Sequence, residues 1–238
     1  MGDQRPPTAR ERVHAELRRR IVALELPPTA PLSAHDLAGE LGVSRTPVHE
    51  SLLMLCGEGL VEVFPQLGTI VAHMDAERVQ LAQFIREAIE CSALAELDTG
   101  RAAPEAIAGL ENNLARQHRA ARRGDLSEFF GLDEDFHRLL LTLGRRENAW
   151  PVVAREKAHL DRARRYGLTR HPLDHLIDQH RQILAKVVEG DLIAATGTLR
   201  AHLREILTDL AALQAENPEL FESSGRPARW AAVRARQS

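Results

Sequence analysis

Apolar residues recur at helical spacing along nearly all of the 238-residue chain, and strand-like runs are confined to Leu60–Phe64 and Thr69–Val71, on either side of Pro65-Gln66-Leu67-Gly68. A chain patterned this way must bury helix stripes against other helices, and it can build little sheet beyond one hairpin. Val13, Leu17, Ile21 and Leu24 mark a first helix from Thr8 to Leu26, stopped by Pro27-Pro28. Ser33 is placed to cap a second helix, with Asp36 three residues on to answer it and Leu37 and Leu41 facing inward. Gly42 ends that helix. Ser44 is placed to cap a third, Arg45 to about Cys56, with Val48, Leu52 and Leu55 inward and Pro47 in the first turn, where a missing N–H costs least. Two short helices joined through Gly42-Val43 and followed by a hairpin predict a winged helix-turn-helix over residues 1–75.

Past Asp75 the helical period continues without strand signals, at about Ala76–Leu97, Pro104–Arg123, Leu126–Leu143, Asn148–Gly167, Leu173–Glu189 and Leu192–Leu213. The expected architecture is mostly α: the winged head, then an antiparallel all-α bundle over 76–214. Residues 215–238 hold Pro218, Pro227, Ser223-Ser224-Gly225 and four arginines without periodicity, and they predict a flexible tail. Cys56 and Cys91 fall in apolar stretches with no CxxC spacing, which predicts buried, reduced thiols. The first ten residues lack the apolar core of a signal peptide, and no segment approaches the roughly 18 apolar residues of a membrane span. A cytoplasmic protein without a membrane partner is expected.

In a helix-turn-helix the second helix enters the major groove with its N-terminal residues near base edges. Here those residues are Ser44, Arg45, Thr46 and His49. Arg45 has the fork to bond guanine O6 and N7, while Ser44 and Thr46 are short donors suited to phosphate. The formal net charge of the whole chain is −3. Through Ala72, seven arginines stand against nine acidic residues, so any phosphate-facing cations must be segregated onto one face. The Arg18-Arg19-Arg20 run is available for that, although such runs are more often solvated helix faces.

Of the chain's 11 histidines, three fall on apolar helix faces. Asp133 and His137 are four apart on a stripe with Phe129, Phe130 and Leu140; His180 lies between Leu176 and Leu184, and His202 between Leu199 and Ile206. One carboxylate and three imidazoles turned into a bundle need a partner that offsets their desolvation, and a divalent cation supplies it. The donor set suits Zn²⁺, with Ni²⁺ or Mn²⁺ as alternative occupants, and leaves coordination positions open. An open metal site also admits hydrolytic chemistry, or a structural or metal-sensing role without an organic ligand. No general base stands out beside it, since Glu134 and Asp135, adjacent to an inward ligand, are expected to face solvent.

The run Asp36-Leu37-Ala38, Leu41-Gly42-Val43-Ser44-Arg45-Thr46-Pro47-Val48-His49-Glu50-Ser51-Leu52, Leu55, Glu58-Gly59-Leu60-Val61 and Gly68 resembles the signature of GntR-family transcriptional regulators, and covers the whole first domain. The family usually has arginine where His49 stands, which implies weaker operator binding or an altered operator preference. The resemblance also implies wing contacts to DNA from Gln66 and Gly68. The spacing Asp133-x-x-x-His137, then His180 and His202, resembles the FadR-type subfamily and its ligand-binding FCD domain, many members of which bind a metal through one Asp and three His. Phe136-His137, Asn148, Gly190-Asp191 and Arg86-Glu87 match the same pattern. What this implies is a homodimer on double-stranded operator DNA, most such proteins being repressors. A small carboxylic acid would bind at the metal, with Arg86 and Asn148 as candidate effector contacts. From residues alone, an exposed ion pair of Arg86 with Glu90 is the simpler reading.

Overall fold

The computed structural model describes residues 6–64, 68–98, 104–168 and 172–221. These form two compact units, one built from the chain up to Asp75 together with the segment from Asn217, the other from Ala76–Glu216.

The first unit holds α1 (Ala9–Val22), α2 (Ala34–Leu41), α3 (Arg45–Gly57) and the antiparallel strands β1 (Val61–Phe64) and β2 (Gly68–Val71). Thr8 caps α1 in a full capping box with Glu11, so two otherwise orphaned N–H groups are satisfied where the helix starts. Ser33 caps α2 through the Asp36 N–H, and Gly42 ends it at φ 64°, a left-handed turn that glycine adopts without strain. Ser44 occupies the N-cap of α3 but makes no side-chain cap bond. Val13, Leu17 and Ile21 of α1 meet Leu37 of α2, Val48, Leu52 and Leu55 of α3, and Val61, Ile70 and Val71 of the hairpin in one buried core. Pro31 bridges Ile70, and Thr29, Ala30 and Leu32 exchange backbone bonds with β2, so the segment after Pro27-Pro28 lines the hairpin as a third extended piece. Sequence alternation did not reveal it, because a bridge this short leaves no period.

The other corrections to the first unit concern polar side chains. Cys56 is exposed, on the outer side of α3 away from Val48, Leu52 and Leu55, so only Cys91 is buried as expected. The arginine run is engaged by carboxylates: Arg18 bonds Glu58, Arg19 bonds Glu16 and Glu25, and Arg20 bonds Glu16 and Glu40. Of residues 215–238, the first two continue a helix of the second unit, Pro218–Phe221 forms the short α11, and 222–238 lie outside the described residues. The Leu220 carbonyl accepts from the Met74 N–H at 2.7 Å, which ties α11 to the end of the head.

The second unit comprises α4 (Ala76–Ala95), α5 (Pro104–Arg123), α6 (Leu126–Leu143), a 3-10 turn (Glu147–Ala149), α7 (Trp150–Glu156), α8 (Ala158–Gly167), α9 (Leu173–Glu189) and α10 (Leu192–Glu216). The single helix expected over Asn148–Gly167 is broken at Lys157, whose buried ammonium pairs with Glu134 and, at 2.5 Å, with Asp161. Phe136 and Leu140 of α6, Ile183 and Leu184 of α9, and Leu199 and Leu203 of α10 close one core around Leu94 and Leu110. At Gly144 a Cβ would stand 2.9 Å from the Ala93 carbonyl, so glycine permits the close approach of α6's end to α4. No described helix is long and apolar enough to cross a membrane.

Candidate functional site

In the first unit Ser44, Arg45, Thr46 and His49 stand together, exposed, on the opening turns of α3. The uncapped start of α3 leaves its first N–H groups and the Ser44 hydroxyl available to a phosphate oxygen. Arg45 Nη2 lies 3.2 Å from His35 Nδ1 on α2. Arginine only donates, so that imidazole nitrogen accepts. Gly68 is exposed at the start of β2, paired with Phe64, and Gln66 lies outside the described residues.

In the second unit α6 contributes Asp133 and His137, α9 His180 and α10 His202, and all four are at most 7% exposed. One ligand atom from each lies within 4.8 Å of the other three. The Nε2 atoms of His180 and His202 are 3.2 Å apart, as are those of His202 and His137, and Asp133 Oδ1 is 3.6 Å from His180 Nε2. Each ring is fixed from behind. Glu90 Oε2 meets His137 Nδ1 at 2.7 Å. Gln117 donates its amide to Asn113 at 2.7 Å, which turns its oxygen to His180 Nδ1 at 3.0 Å. Gln179 donates to Glu205, which turns its oxygen to His202 Nδ1 at 2.7 Å. Phe136 stacks on the His180 ring with centroids 4.1 Å apart.

An acceptor behind every Nδ1 holds the proton there, so three unprotonated Nε2 atoms face one another. The 3.2 Å approaches therefore have no proton to share and are not hydrogen bonds. Burial pushes the His180 imidazole down to about 3 and that of His202 well below its usual value, so both rings are neutral. Burial opposes the charge on Asp133, yet the Arg164 guanidinium bonded to it outweighs that penalty and holds the carboxyl well below its usual range. Asp133 Oδ1 is buried without a hydrogen-bond partner. Converging lone pairs and an orphaned carboxylate oxygen leave one unmet requirement, a positive charge at their centre. Ligands at the roughly 2 Å bond lengths of Zn²⁺ stand about 3.3 Å from each other, which the separations of His202 Nε2 from the other two Nε2 atoms match. The residues fit a divalent cation.

Arg86 is only 2% exposed, so its bond to Glu90, at 2.6 Å, is a buried pair rather than the exposed one expected. Burial alone would raise the Glu90 carboxyl, but Arg86 and His137 hold it at about 2. Arg86 Nη2 is buried without a hydrogen-bond partner. Arg86, Arg164 and His202 line one small pocket, of about 50 Å³. Asn148 is exposed on the 3-10 turn and does not line that pocket. Glu134 also departs from expectation: it is largely buried, clamped by Lys157 and by Arg164 at 2.8 Å.

The residues behind the ligands were not singled out from the sequence. Gln117 carried a signal, since with Leu110, Asn113 and Ala120 it puts two amides on the inward stripe of α5. Gln179 and Arg164 carried none, because their partners sit on other helices. Arg164 bonds Asp133 Oδ2 from α8.

Comparison with known proteins agrees with both units. Residues 9–71 match the model of the bacterial regulatory proteins, gntR family, and residues 82–205 match that of the FCD domain. An HTH-type transcriptional regulator of Streptomyces ambofaciens is 46% identical over 219 residues, 90% of both chains. The HTH-type transcriptional repressor RspR of Escherichia coli K12 is 32% identical over 212 residues, 89% of this chain and 92% of that one. Among solved structures, E. coli McbR/YncC matches with a TM-score of 0.71 at 20% identity, over 89% of this chain and 99% of that one. A GntR regulator from Rhodococcus sp. RHA1 matches with a TM-score of 0.69 at 22% identity, over 85% and 98%. The matched models and relatives describe DNA-binding regulators rather than enzymes. The chain belongs to the GntR family of bacterial transcriptional regulators, its winged helix-turn-helix joined to an FCD domain.

Proposed function

We propose that this regulator is a cytoplasmic, homodimeric repressor of the FadR type whose hold on operator DNA is loosened by a small carboxylic acid bound at a Zn²⁺ ion. Asp133, His137, His180 and His202 would hold the ion, and the observation that carries this is the meeting of three unprotonated Nε2 atoms beside an unpartnered carboxylate oxygen. When bound, the ion supplies a Lewis-acidic position for a carboxylate oxygen. Arg86, whose buried Nη2 has no hydrogen-bond partner, lines a pocket together with His202, and a second carboxylate oxygen would gain a charge-assisted bond there. On the DNA side Arg45 reads a base edge, Ser44, Thr46 and His49 position α3 on the backbone, and Gln66 and Gly68 serve the wing. His49 stands where an arginine is usual, so the permanent charge of that arginine is missing from the electrostatic share of binding.

Effector and operator must then oppose each other reciprocally, each weakening the other by the same factor. The test is metal analysis of the purified chain, followed by operator titration with and without a panel of small carboxylic acids. About one Zn²⁺ per chain and an acid that weakens operator binding are expected. A full metal site whose operator affinity responds to metal but to no acid assigns a metal-sensing role instead, and a chain that takes up no divalent cation overturns the reading.

A further inference from the structure

The closing turns of α5 carry Arg116, His118, Arg119, Arg122 and Arg123, all exposed, and no acidic residue stands between Glu111 and Asp125. Among the described residues Arg116, Arg119 and Arg122 make no ion pair, while Arg123 bonds Glu128. Asp125 is engaged in capping α6, where its side chain accepts from the Glu128 N–H. Exposed arginines elsewhere in this unit are answered by carboxylates: Arg138 by Asp135, Arg146 by Glu96, Arg181 by Asp178 and Arg204 by Glu87. In the head, Arg18, Arg19 and Arg20 are answered in the same way.

At 3.6 residues per turn the four α5 arginines fall on one stripe, turned away from the buried Asn113, Gln117 and Ala120. Such a stripe works against the helix, because like charges three and four residues apart repel. The helix dipole favours cations only in the last turn, which accounts for Arg122 and Arg123 but not for Arg116 and Arg119. Arg116 and Arg122 stand about 9 Å apart along the helix axis. One strand of duplex DNA carries a charge about every 3.4 Å of its axis, so three unpaired arginines span about three phosphates. The polyanion that a DNA-binding regulator meets is duplex DNA. We propose that Arg116, Arg119 and Arg122 form a second DNA contact on the FCD domain, one that binds the phosphate backbone without reading sequence. It depends on neither the metal nor the acid proposed above.

Counterion release is independent of base sequence, so the full-length chain can be tested on a long duplex of unrelated sequence, from about 50 to 200 mM salt. Changing all three arginines to glutamine should lower the slope of log K against log salt by about 2–3 per bound chain, and weaken binding at the lower salt by about ten-fold or more. Zinc content should stay the same and the melting temperature should not fall. Changing all three to lysine should keep the parent slope, since a point charge suffices for a phosphate. A control with the same change in charge, Arg138→Gln with Arg146→Gln and Arg181→Gln, should leave the slope unaltered. A parent slope retained by the α5 glutamine variant assigns these arginines to a solvated face and overturns the proposal. An equal loss in the control overturns it too, because net charge alone then explains the effect, as does a parent chain that does not bind the unrelated duplex even at the lower salt.

Discussion

The two units hold their functional side chains in opposite ways. On α3, the proposed DNA contacts Ser44, Arg45, Thr46 and His49 are exposed. In the bundle Asp133, His137, His180 and His202 are buried, and each is held by at least one further buried or half-buried polar group. An exposed reader can lose a side chain and keep its fold, because the loss falls on the interface alone. A buried centre cannot, since removing one group strands its partner in a medium that penalises unpaired polar atoms.

The largest effect that would break this contrast is metal removal. Stripping the full chain with a chelator should lower the melting temperature by about 5–15 °C, the range for a ligand present at hundreds of times its Kd on a domain of this size. Hydrogen exchange should accelerate in α6, α9 and α10 and stay unchanged in α1 to α3. Uniform acceleration through both units, or none at all, would remove the distinction.

Next in size is Glu90→Gln. Glu90 accepts from both His137 Nδ1 and Arg86 Nε, and an amide there must offer an N–H to one of these two donors. Zinc affinity, measured by competition with a chromophoric chelator, should fall about 10–100-fold, the range seen when a ligand's supporting group is lost. Unchanged affinity would mean that the His137 ring is oriented by packing against its neighbours instead.

Arg45→Ala probes the other side of the comparison. Operator affinity should drop by about 1–3 kcal/mol, with discrimination relaxed at one base pair. Zinc content should not change, and stability should move by no more than about 0.5 kcal/mol, because Arg45 is exposed. A large loss of stability would show that α3 is not a solvated reader.

The same contrast explains what could be read from the sequence. The head was legible because its features are linear: a cap, a turn glycine and the candidate reading residues follow one another within Ser33–His49. The four candidate metal ligands were legible because each breaks the apolar period of its own helix. The shell behind them was not. Arg164, Gln179 and Glu134 act on residues of other helices, and a stripe pattern carries no information about which helices meet. The pairing of Lys157, where the helix breaks, was hidden for the same reason, since Glu134 is on α6. Arg18-Arg19-Arg20 looked available for phosphate only because Glu25, Glu40 and Glu58 are brought beside it by folding.

The smallest expected effect asks whether the exposed reader is as unsupported as this comparison makes it. Arg45 has one observed support, the 3.2 Å bond from Nη2 to His35 Nδ1. That bond restricts a long side chain that would otherwise lose rotamer freedom on reaching the groove. His35→Ala should therefore weaken operator binding by about 2–5-fold with little change in stability, and the loss should fall on sequences that carry the base pair Arg45 reads. Made on top of Arg45→Ala, the same substitution should cost nothing further, since it acts only through that side chain. Additive losses in the double variant would show instead that His35 touches the DNA itself, and α2 would then belong to the reading surface alongside α3.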